Sequence, residues 1–209
     1  HRVDAGDLRH EGRDEQRAIG TPRIGSCGKP TPGVAVRIVK PDGSECAEGE
    51  VGEILVRGPN VTVGYYGNEA ATQAALRDGW YHTGDVGALR DGGYLFVVDR
   101  IKDMIVSGAE NVYSIEVEDA LQKHAAVIEA AVFAVPDAKW GERPKAFVTL
   151  KPGRTATEAE IIEFCRQHIA HFKCPAAIEF GDLPKTSTGK VQKFVLRDRE
   201  WKGHAKRIN

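Results

Sequence analysis

The segment Asp99-Arg100-Ile101-Lys102-Asp103-Met104-Ile105-Val106-Ser107-Gly108, residues 99–108, lies where the sequence changes its character. Before it, short apolar runs alternate with Gly-, Pro- and Asp-containing turns, a pattern typical of antiparallel strands. After it, helix-period segments alternate with apolar runs that have the composition of strands, which indicates a mixed unit. We therefore predict an α+β chain of two domains, residues 1–100 and residues 101–209, joined at this segment.

Short strands dominate the prediction for the first domain. Apolar runs at 33–39, 53–57 and 94–98 are separated by turn signals, and Asp91-Gly92-Gly93 favours a hairpin. An Ala-rich stretch at 68–76 indicates one short helix. This spacing predicts a small antiparallel sheet, which we expect to form a barrel-like subdomain.

The second domain combines helices with a small sheet. Helices are predicted from a Ser114 N-cap to about Lys123, from the capping box Thr157-x-x-Glu160, and through Arg197 near the end of the chain. The first of them is expected to bury Ile115, Val117, Ala120 and Leu121. Strands are predicted at 127–135, 145–150 and 177–180. We expect a central three-stranded sheet flanked by helices.

Composition narrows the class of protein. The chain has 209 residues, of which 41% are hydrophobic and 28% charged, with a net charge of −1, which suits a soluble globular protein. No apolar run reaches the roughly 18 residues of a membrane span. The balanced charge gives no argument for a nucleic acid or a membrane surface as partner. Four widely spaced cysteines without a C-x-x-C pair favour free thiols in a reducing cytoplasm over a disulfide framework or a zinc site.

Charge is concentrated at the end of the chain. Residues 182–209 contain eight Lys or Arg and only three acidic residues. Such a stretch is either a solvated basic tail or a surface that meets phosphates.

One candidate site is Gly79-Trp80-Tyr81-His82-Thr83-Gly84-Asp85. A carboxylate that follows a Thr-Gly turn is able to accept two hydrogen bonds from a vicinal diol such as a ribose. The alternative is an ordinary turn in which Asp85 binds a backbone amide. In the junction segment, Arg100 is suited to a ribose or phosphate oxygen. The alternative, which the segment by itself favours, is an edge strand with a salt-bridged outer face. Gly108 there provides either a special backbone angle or the close approach of a ligand.

Another candidate site is the loop Pro184-Lys185-Thr186-Ser187-Thr188-Gly189-Lys190. The Walker pattern fails because Pro184 replaces its first Gly and Val191 its Ser/Thr, which excludes the nucleotide hydrolases of that class. What remains is a mobile loop that presents Lys190, either as a plain solvated lysine or as a cation that neutralises developing charge on a carboxylate or phosphoryl oxygen. The seven histidines show no metal-ligand spacing, so no metal site is predicted.

Taken together and in this order, the motifs resemble the carboxy-terminal part of the adenylate-forming (AMP-binding) superfamily. That superfamily includes acyl-CoA synthetases such as fatty-acid–CoA ligases, peptide-synthetase adenylation domains and beetle luciferases. The resemblance covers about residues 20–201. It is carried by GSCGKP (25–30), GEILVRG (52–58), GYY (64–66), GWYHTGD (79–85), DRIKDMIVSGAENVYSIEVE (99–118) and PKTSTGK (184–190).

The resemblance implies roles for individual residues. Asp85 would hold the ribose hydroxyls of ATP and of the acyl-adenylate, with Arg100 as its basic companion on the nucleotide. Lys102 would be the hinge about which the small domain reorients. Lys190 would act catalytically, contacting the substrate carboxylate and the bridging oxygen during adenylation.

The resemblance also implies a place for CoA. Ser107, Gly108 and Ala109 would form the turn beside which the CoA pantetheine passes, and Trp140 would lie close to CoA. Many relatives have Gly-Gly where this chain has Gly108-Ala109, which departs from the family pattern at the second position.

Two family motifs do not occur in the sequence: the Ser/Thr/Gly-rich loop that grips the ATP phosphates, and the Y-G-x-T-E segment that helps to hold magnesium and adenine. We therefore expect a fragment, which comprises the distal β subdomain of the large domain and the mobile carboxy-terminal domain. Its partners would be the amino-terminal part of the same enzyme, a carboxylic acid such as a fatty acid, ATP and CoA, and its Mg site would lie upstream.

The function implied is that of an ATP-dependent, AMP-forming acyl-CoA ligase, and the isolated chain is predicted to be inactive in adenylation. The alternatives are a peptide-synthetase-type adenylation domain and a non-catalytic binding module on the same scaffold.

Overall fold

The computed structural model describes residues 25–204, which form two compact units that divide between Ile101 and Lys102. The residues described in the first unit, 25–101, build five strands and one helix. These are β1 (Ala35–Val39), β2 (Gly52–Arg57), α1 (Glu69–Ala75), β3 (Leu76–Arg77), β4 (Trp80–Arg90) and β5 (Tyr94–Arg100).

The sheet of the first unit is organised around the long strand β4. Its first half pairs with β3 on one side and β2 on the other, and its second half pairs with β5 through the predicted hairpin at Asp91. Strand β1 adds to β2. Alternate residues point to one face, where Ile38, Ile54, Val56 and Leu95 are buried together. The pairings among residues 25–101 leave this sheet open, so the barrel-like description is not confirmed.

One prediction for the first unit assigned the wrong type of secondary structure. The sequence places Thr83-Gly84-Asp85 in a turn, whereas these residues lie inside β4. The strand continues because β2 and β5 supply hydrogen-bonding partners on either side of it. Gly84 lies in a β-bulge within the strand.

The second unit, described over residues 102–204, is an α+β layer structure. Its strands are β6 (Ile105–Ser107), β7 (Glu110–Val112), β8 (Val127–Asp137), β9 (Gly141–Leu150) and β10 (Ile178–Phe180). Its helices are α2 (Ser114–Gln122), α3 (Glu158–Arg166), a 3-10 turn (His171–Lys173) and α4 (Lys193–Glu200).

Strand β9 is the centre of the second sheet. It pairs along its whole length with antiparallel β8, and on its other edge with parallel β10 and, at Gly141, with β6 of the β6–β7 hairpin. The three predicted strands are present, but the predicted three-stranded sheet is too small. The two added strands have only three residues each, too few to show a period in the sequence.

The sequence predicts the N-terminal cap of helix α3 correctly and that of helix α2 incorrectly. The Thr157–Glu160 capping box is confirmed, and Ile161 and Cys165 of α3 are fully buried. The predicted Ser114 cap was wrong, because Tyr113 is the N-cap and the Ser114 hydroxyl is buried beneath the helix, where it accepts a hydrogen bond from Lys193. Another predicted inward residue, Ile115, is exposed.

All four cysteines lie among the described residues and are free thiols. Burial in the core raises the pKa of Cys165 to about 12, so this thiol is unreactive at neutral pH. Among residues 25–204, no helix has the length and apolar character that crossing a bilayer requires.

Candidate functional site

Asp85 and Arg100 are brought together by the pairing of β4 with β5. They face each other in the ladder, and Arg100 Nε donates a hydrogen bond of 3.2 Å to Asp85 Oδ1. Asp85 is only 7% exposed, whereas the Arg100 side chain is 46% exposed. A carboxylate offers about four acceptor positions on its two oxygens. The pair is therefore suited to accept from the hydroxyls of a ligand at Asp85 while the guanidinium meets an anionic group.

A bulge in β4 sets the position of Asp85. Thr83 Oγ1 donates to the carbonyl of Ile54 at 2.8 Å and accepts from the backbone N–H of Asp85 at 3.0 Å. Gly84 between them has φ of +71°, a conformation that glycine adopts without a steric penalty. The bulge is reflected in a shift of register opposite β2. Thr83 and Gly84 thus fix the backbone from which the Asp85 carboxylate projects, a role that the sequence motif did not reveal.

Asp99 fixes the other member of the pair. Its side chain is buried, and its Oδ1 accepts from the backbone N–H of Arg100 at 2.7 Å. The next amide, that of Ile101, donates to the carbonyl of Gly84 at 2.9 Å, so the backbone hydrogen bonding between the two segments continues one residue beyond the ion pair. Sequence reasoning assigned Asp99 no role, because a side chain that binds a backbone amide leaves no pattern in the sequence.

The loop that carries Lys190 is held by its own backbone. Thr186 N–H donates to the carbonyl of Lys190 at 2.9 Å, and Lys190 N–H donates to Thr186 Oγ1 at 3.1 Å. Lys185 of the same loop forms an ion pair of 2.6 Å with Glu129. Lys190 itself is exposed, and no carboxylate among residues 25–204 pairs with its ammonium. The loop therefore presents a cation from a backbone that is linked by its own hydrogen bonds.

Gly108 and Trp140 form a contact in the second unit. Gly108 N–H donates to the carbonyl of Trp140 at 2.8 Å, and a methyl group built on Gly108 would lie 3.1 Å from Cε3 of the indole. Gly108 also has φ of +66°, so this position favours glycine for two independent reasons. The Trp140 residue remains 46% exposed. Ser107, Gly108 and Ala109 thus turn beside an accessible aromatic ring.

Two carboxylates support this turn. Glu142 is buried, and its Oε2 accepts from the backbone N–H of Val106 at 3.0 Å, which ties β6 to β9. Asp137 Oδ1 accepts from the backbone N–H groups of Trp140 and Lys139 at 2.8 Å each, and these bonds lower the pKa of Asp137. Neither residue was singled out from the sequence, because both act on backbone atoms.

The predicted site residues therefore fall into separate groups. Asp85 and Arg100 lie together in the first unit, and the Ser107–Ala109 turn lies with Trp140 in the second. Lys102 is the first residue of the second unit, and Lys190 is on its own loop. In the part of the chain that the structure describes, no three His, Cys, Asp or Glu side chains are grouped to hold a metal ion.

Comparison with known proteins relates both units to one group of enzymes. The family model for the AMP-binding enzyme matches residues 15–66, and the model for the AMP-binding enzyme C-terminal domain matches residues 116–190. A probable CoA ligase, CCL11, of Humulus lupulus is 54% identical over 152 residues, which is 71% of this chain and 27% of that protein. A feruloyl-CoA synthase of an Amycolatopsis species is 45% identical over 184 residues, 88% of this chain and 38% of that protein.

A solved structure agrees in fold. The crystal structure of ATP-bound MatB from Rhodopseudomonas palustris superimposes with a TM-score of 0.80 and 38% sequence identity, over 89% of this chain and 37% of that one. The chain thus spans only 27–38% of the length of these three relatives.

Proposed function

The chain belongs to the AMP-binding enzymes, and from this premise we propose that it forms part of an ATP-dependent, AMP-forming ligase that joins a carboxylic acid to coenzyme A. The observation that carries the proposal is the buried carboxylate of Asp85 in contact with Arg100, on a backbone that the bulge at Thr83–Gly84 fixes. This geometry supports the binding of a ribose by Asp85, because a rigidly held carboxylate accepts from two neighbouring hydroxyls.

In the proposed first half-reaction, a carboxylate oxygen attacks the α-phosphorus of ATP and pyrophosphate leaves, which yields an acyl-adenylate. Phosphoryl transfer of this kind is promoted mainly by positioning and by neutralisation of charge. Lys190 is proposed to contact the attacking carboxylate and the bridging oxygen. Its exposed ammonium on a hydrogen-bonded loop supports this role.

In the proposed second half-reaction, the CoA thiol attacks the acyl carbonyl carbon and AMP leaves. The second unit is proposed to swivel at Lys102 between the two steps, so that Lys190 withdraws and the Gly108 turn approaches the adenylate. The division of the chain between Ile101 and Lys102 supports this place for the pivot. The exposed indole of Trp140 beside Gly108 supports a path for the pantetheine arm of CoA.

Magnesium, the acid substrate and the location of the enzyme complete the proposal. Since the sequence contains no Y-G-x-T-E segment, we expect the magnesium ligands in an upstream part of the enzyme. A fatty acid is the first substrate to test, since Trp140-Gly141-Glu142 and the segment 190–194 resemble fatty-acyl-CoA ligases. The free thiols support a location in the reducing cytoplasm.

The proposal predicts a difference between the full-length enzyme and this chain. The full-length enzyme is expected to exchange labelled pyrophosphate into ATP when a suitable acid is present, whereas the isolated chain is expected to show no exchange above background. The physical reason is that residues 1–209 contain no phosphate-gripping loop. A panel of fatty, branched short-chain and aromatic acids in the exchange assay measures both activity and acid preference. Exchange catalysed by the isolated chain would refute the proposed division of labour.

A second prediction concerns the turn beside Trp140. In the full-length enzyme, Gly108→Ala is expected to slow thioester formation from supplied acyl-adenylate roughly 10-fold, because the methyl group displaces the indole and the displaced ring misplaces the thiol. Adenylation is expected to change less than about twofold, since Gly108 has no part in that step.

Gly153→Ala is the matched control for this variant. Gly153 has φ of +72° but no atom within 4 Å of an added methyl group, so the substitution causes the same type of backbone strain without the indole contact. Equal effects of the two substitutions on thioester formation would show that backbone strain alone, and not the contact with Trp140, explains the loss.

A further inference from the structure

Helix α4 reaches from the Lys190 loop back to the start of the second unit. It begins at Lys193, and its Arg197 Nη1 donates a hydrogen bond of 2.7 Å to the backbone carbonyl of Lys102. The same nitrogen lies 3.2 Å from Asp103 Oδ1. The side chains of Arg197 and Asp103 are only 18% and 14% exposed, so this charge-assisted contact is shielded from solvent.

Helix α4 is firmly attached to the body of the second unit. Leu196 is buried with Phe133 and Phe147 of the sheet. Lys193 Nζ contacts Glu118 Oε1 and Ser114 Oγ of helix α2, at 2.7 Å each. A residue held by this helix is therefore held to the whole unit.

This attachment has a geometric consequence for the pivot. Arg197 binds both the carbonyl of Lys102 and the side chain of Asp103. The backbone from this carbonyl onward is therefore held in a fixed position relative to the rest of the second unit. The φ and ψ torsions of Lys102, and those of the residues before it, are not fixed by this contact. The division between the two compact units falls at this same position.

We propose that Arg197 is a positioning residue that confines the swivel of the second unit to the torsions of Lys102. The inference rests on the proposed function, in which that swivel alternates the Lys190 loop with the Gly108 turn. We call the contacts of Arg197 with the Lys102 carbonyl and with Asp103 the clamp. Without the clamp, the backbone at Asp103 and Met104 also flexes, and both the Lys190 loop and the Gly108 turn reach the adenylate with a wider spread of orientations. Both half-reactions then slow, although Arg197 takes no part in the bond changes of either.

The experiment uses three variants of the full-length enzyme. Arg197→Met keeps the length of the side chain and removes its charge and donors, and Arg197→Lys restores one charged donor. Arg199→Met is the matched control, because Arg199 lies on the same helix, is half exposed and pairs with Glu179 rather than with the hinge segment. Arg197→Met is expected to lower kcat of both half-reactions roughly 10-fold, with KM for ATP within about twofold of wild type. Arg197→Lys is expected to recover part of the loss, and Arg199→Met to match wild type.

Hydrogen–deuterium exchange provides a readout that does not depend on activity. The amides of residues 101–105 are expected to exchange faster in Arg197→Met, and at the wild-type rate in Arg199→Met. If the full-length wild-type enzyme shows no acid-dependent adenylation, the proposed function fails, and the exchange measurement still tests the clamp.

The following results would overturn the inference: exchange of 101–105 unaltered in Arg197→Met, or half-reaction rates equal to those of Arg199→Met. Should Arg197→Met fail to fold, Asp103→Asn replaces it, since the amide oxygen preserves the acceptor while the charge is lost. Asp103→Asn is then expected to slow both half-reactions to a smaller extent, and wild-type rates together with wild-type exchange in this variant would contradict the role of the clamp.

Discussion

Replacing Lys190 by alanine in the full-length enzyme is expected to slow adenylation by roughly 10²–10³-fold and to leave thioester formation from supplied acyl-adenylate within about threefold of wild type. The ammonium of Lys190 is exposed, whereas its backbone N–H and carbonyl bind Thr186. Alanine therefore keeps the hydrogen bonds of the loop and removes only the cation. The rate of acid-dependent exchange of pyrophosphate into ATP measures the first step, and release of AMP from acyl-adenylate and CoA measures the second.

Lys202→Ala is the control for this variant. Lys202 is exposed and lies in the same basic carboxy-terminal stretch, but on no loop of the candidate site. If the basic stretch acted only as a general positive surface, the two substitutions would have similar effects. Equal loss in both half-reactions after Lys190→Ala would also contradict the proposed role, because it would place the lysine in a function common to the two steps.

Replacing Asp85 by asparagine is expected to impair both half-reactions, in contrast to Lys190→Ala. A ribose is present in ATP and in the acyl-adenylate, so a residue that holds it contributes to each step. Asparagine keeps the size of the side chain but removes the charge that Arg100 pairs with. Loss of charge-assisted hydrogen bonds worth about 1.5–3 kcal/mol corresponds to a decrease of roughly 10- to 100-fold in kcat/KM for ATP.

The control for the loss of an acidic residue in the first unit is Asp91→Asn. Asp91 is exposed at the tip of the β4–β5 hairpin, where its φ of +52° is one that asparagine also tolerates. The kcat/KM of the Asp91→Asn enzyme for ATP is expected to equal that of wild type. An effect of Asp85→Asn on one half-reaction only, or no effect beyond that of Asp91→Asn, would exclude the carboxylate from nucleotide binding.

Local patterns in the sequence were sufficient for much of the fold. The α+β character follows from the change of period after residue 108, and the Thr157–Glu160 capping box marked the start of α3 correctly. Short or interrupted elements were not predictable in this way. Strands β6 and β7 have three residues each, pair with each other, and are tied to the larger sheet by β9 and Glu142. The Thr83–Gly84 pair looks like a turn until both neighbours of β4 are known.

The residues of the candidate site also divide into those that the sequence identified and those that only the structure revealed. Asp85 and Arg100 were identifiable because each lies in a motif with a recognisable chemical pattern, although only the strand register shows that they touch. Thr83, Asp99 and Glu142 were missed because each binds a backbone atom, and Arg197 was missed as a contact of Lys102 for the same reason. Such partners leave no periodicity in the sequence. Thr83, Glu142 and Arg197 each also bind a backbone atom that is distant in the chain, at Ile54, Val106 and Lys102, and only the fold brings these neighbours together.

The central claim is that one cation serves the first chemical step and is dispensable in the second. The most direct test is the ratio of the thioester-forming rate to the adenylation rate, measured on one preparation of full-length Lys190→Ala and compared with wild type. The account predicts that this ratio rises by roughly two orders of magnitude. A ratio that stays at the wild-type value, whatever the absolute rates, would contradict it.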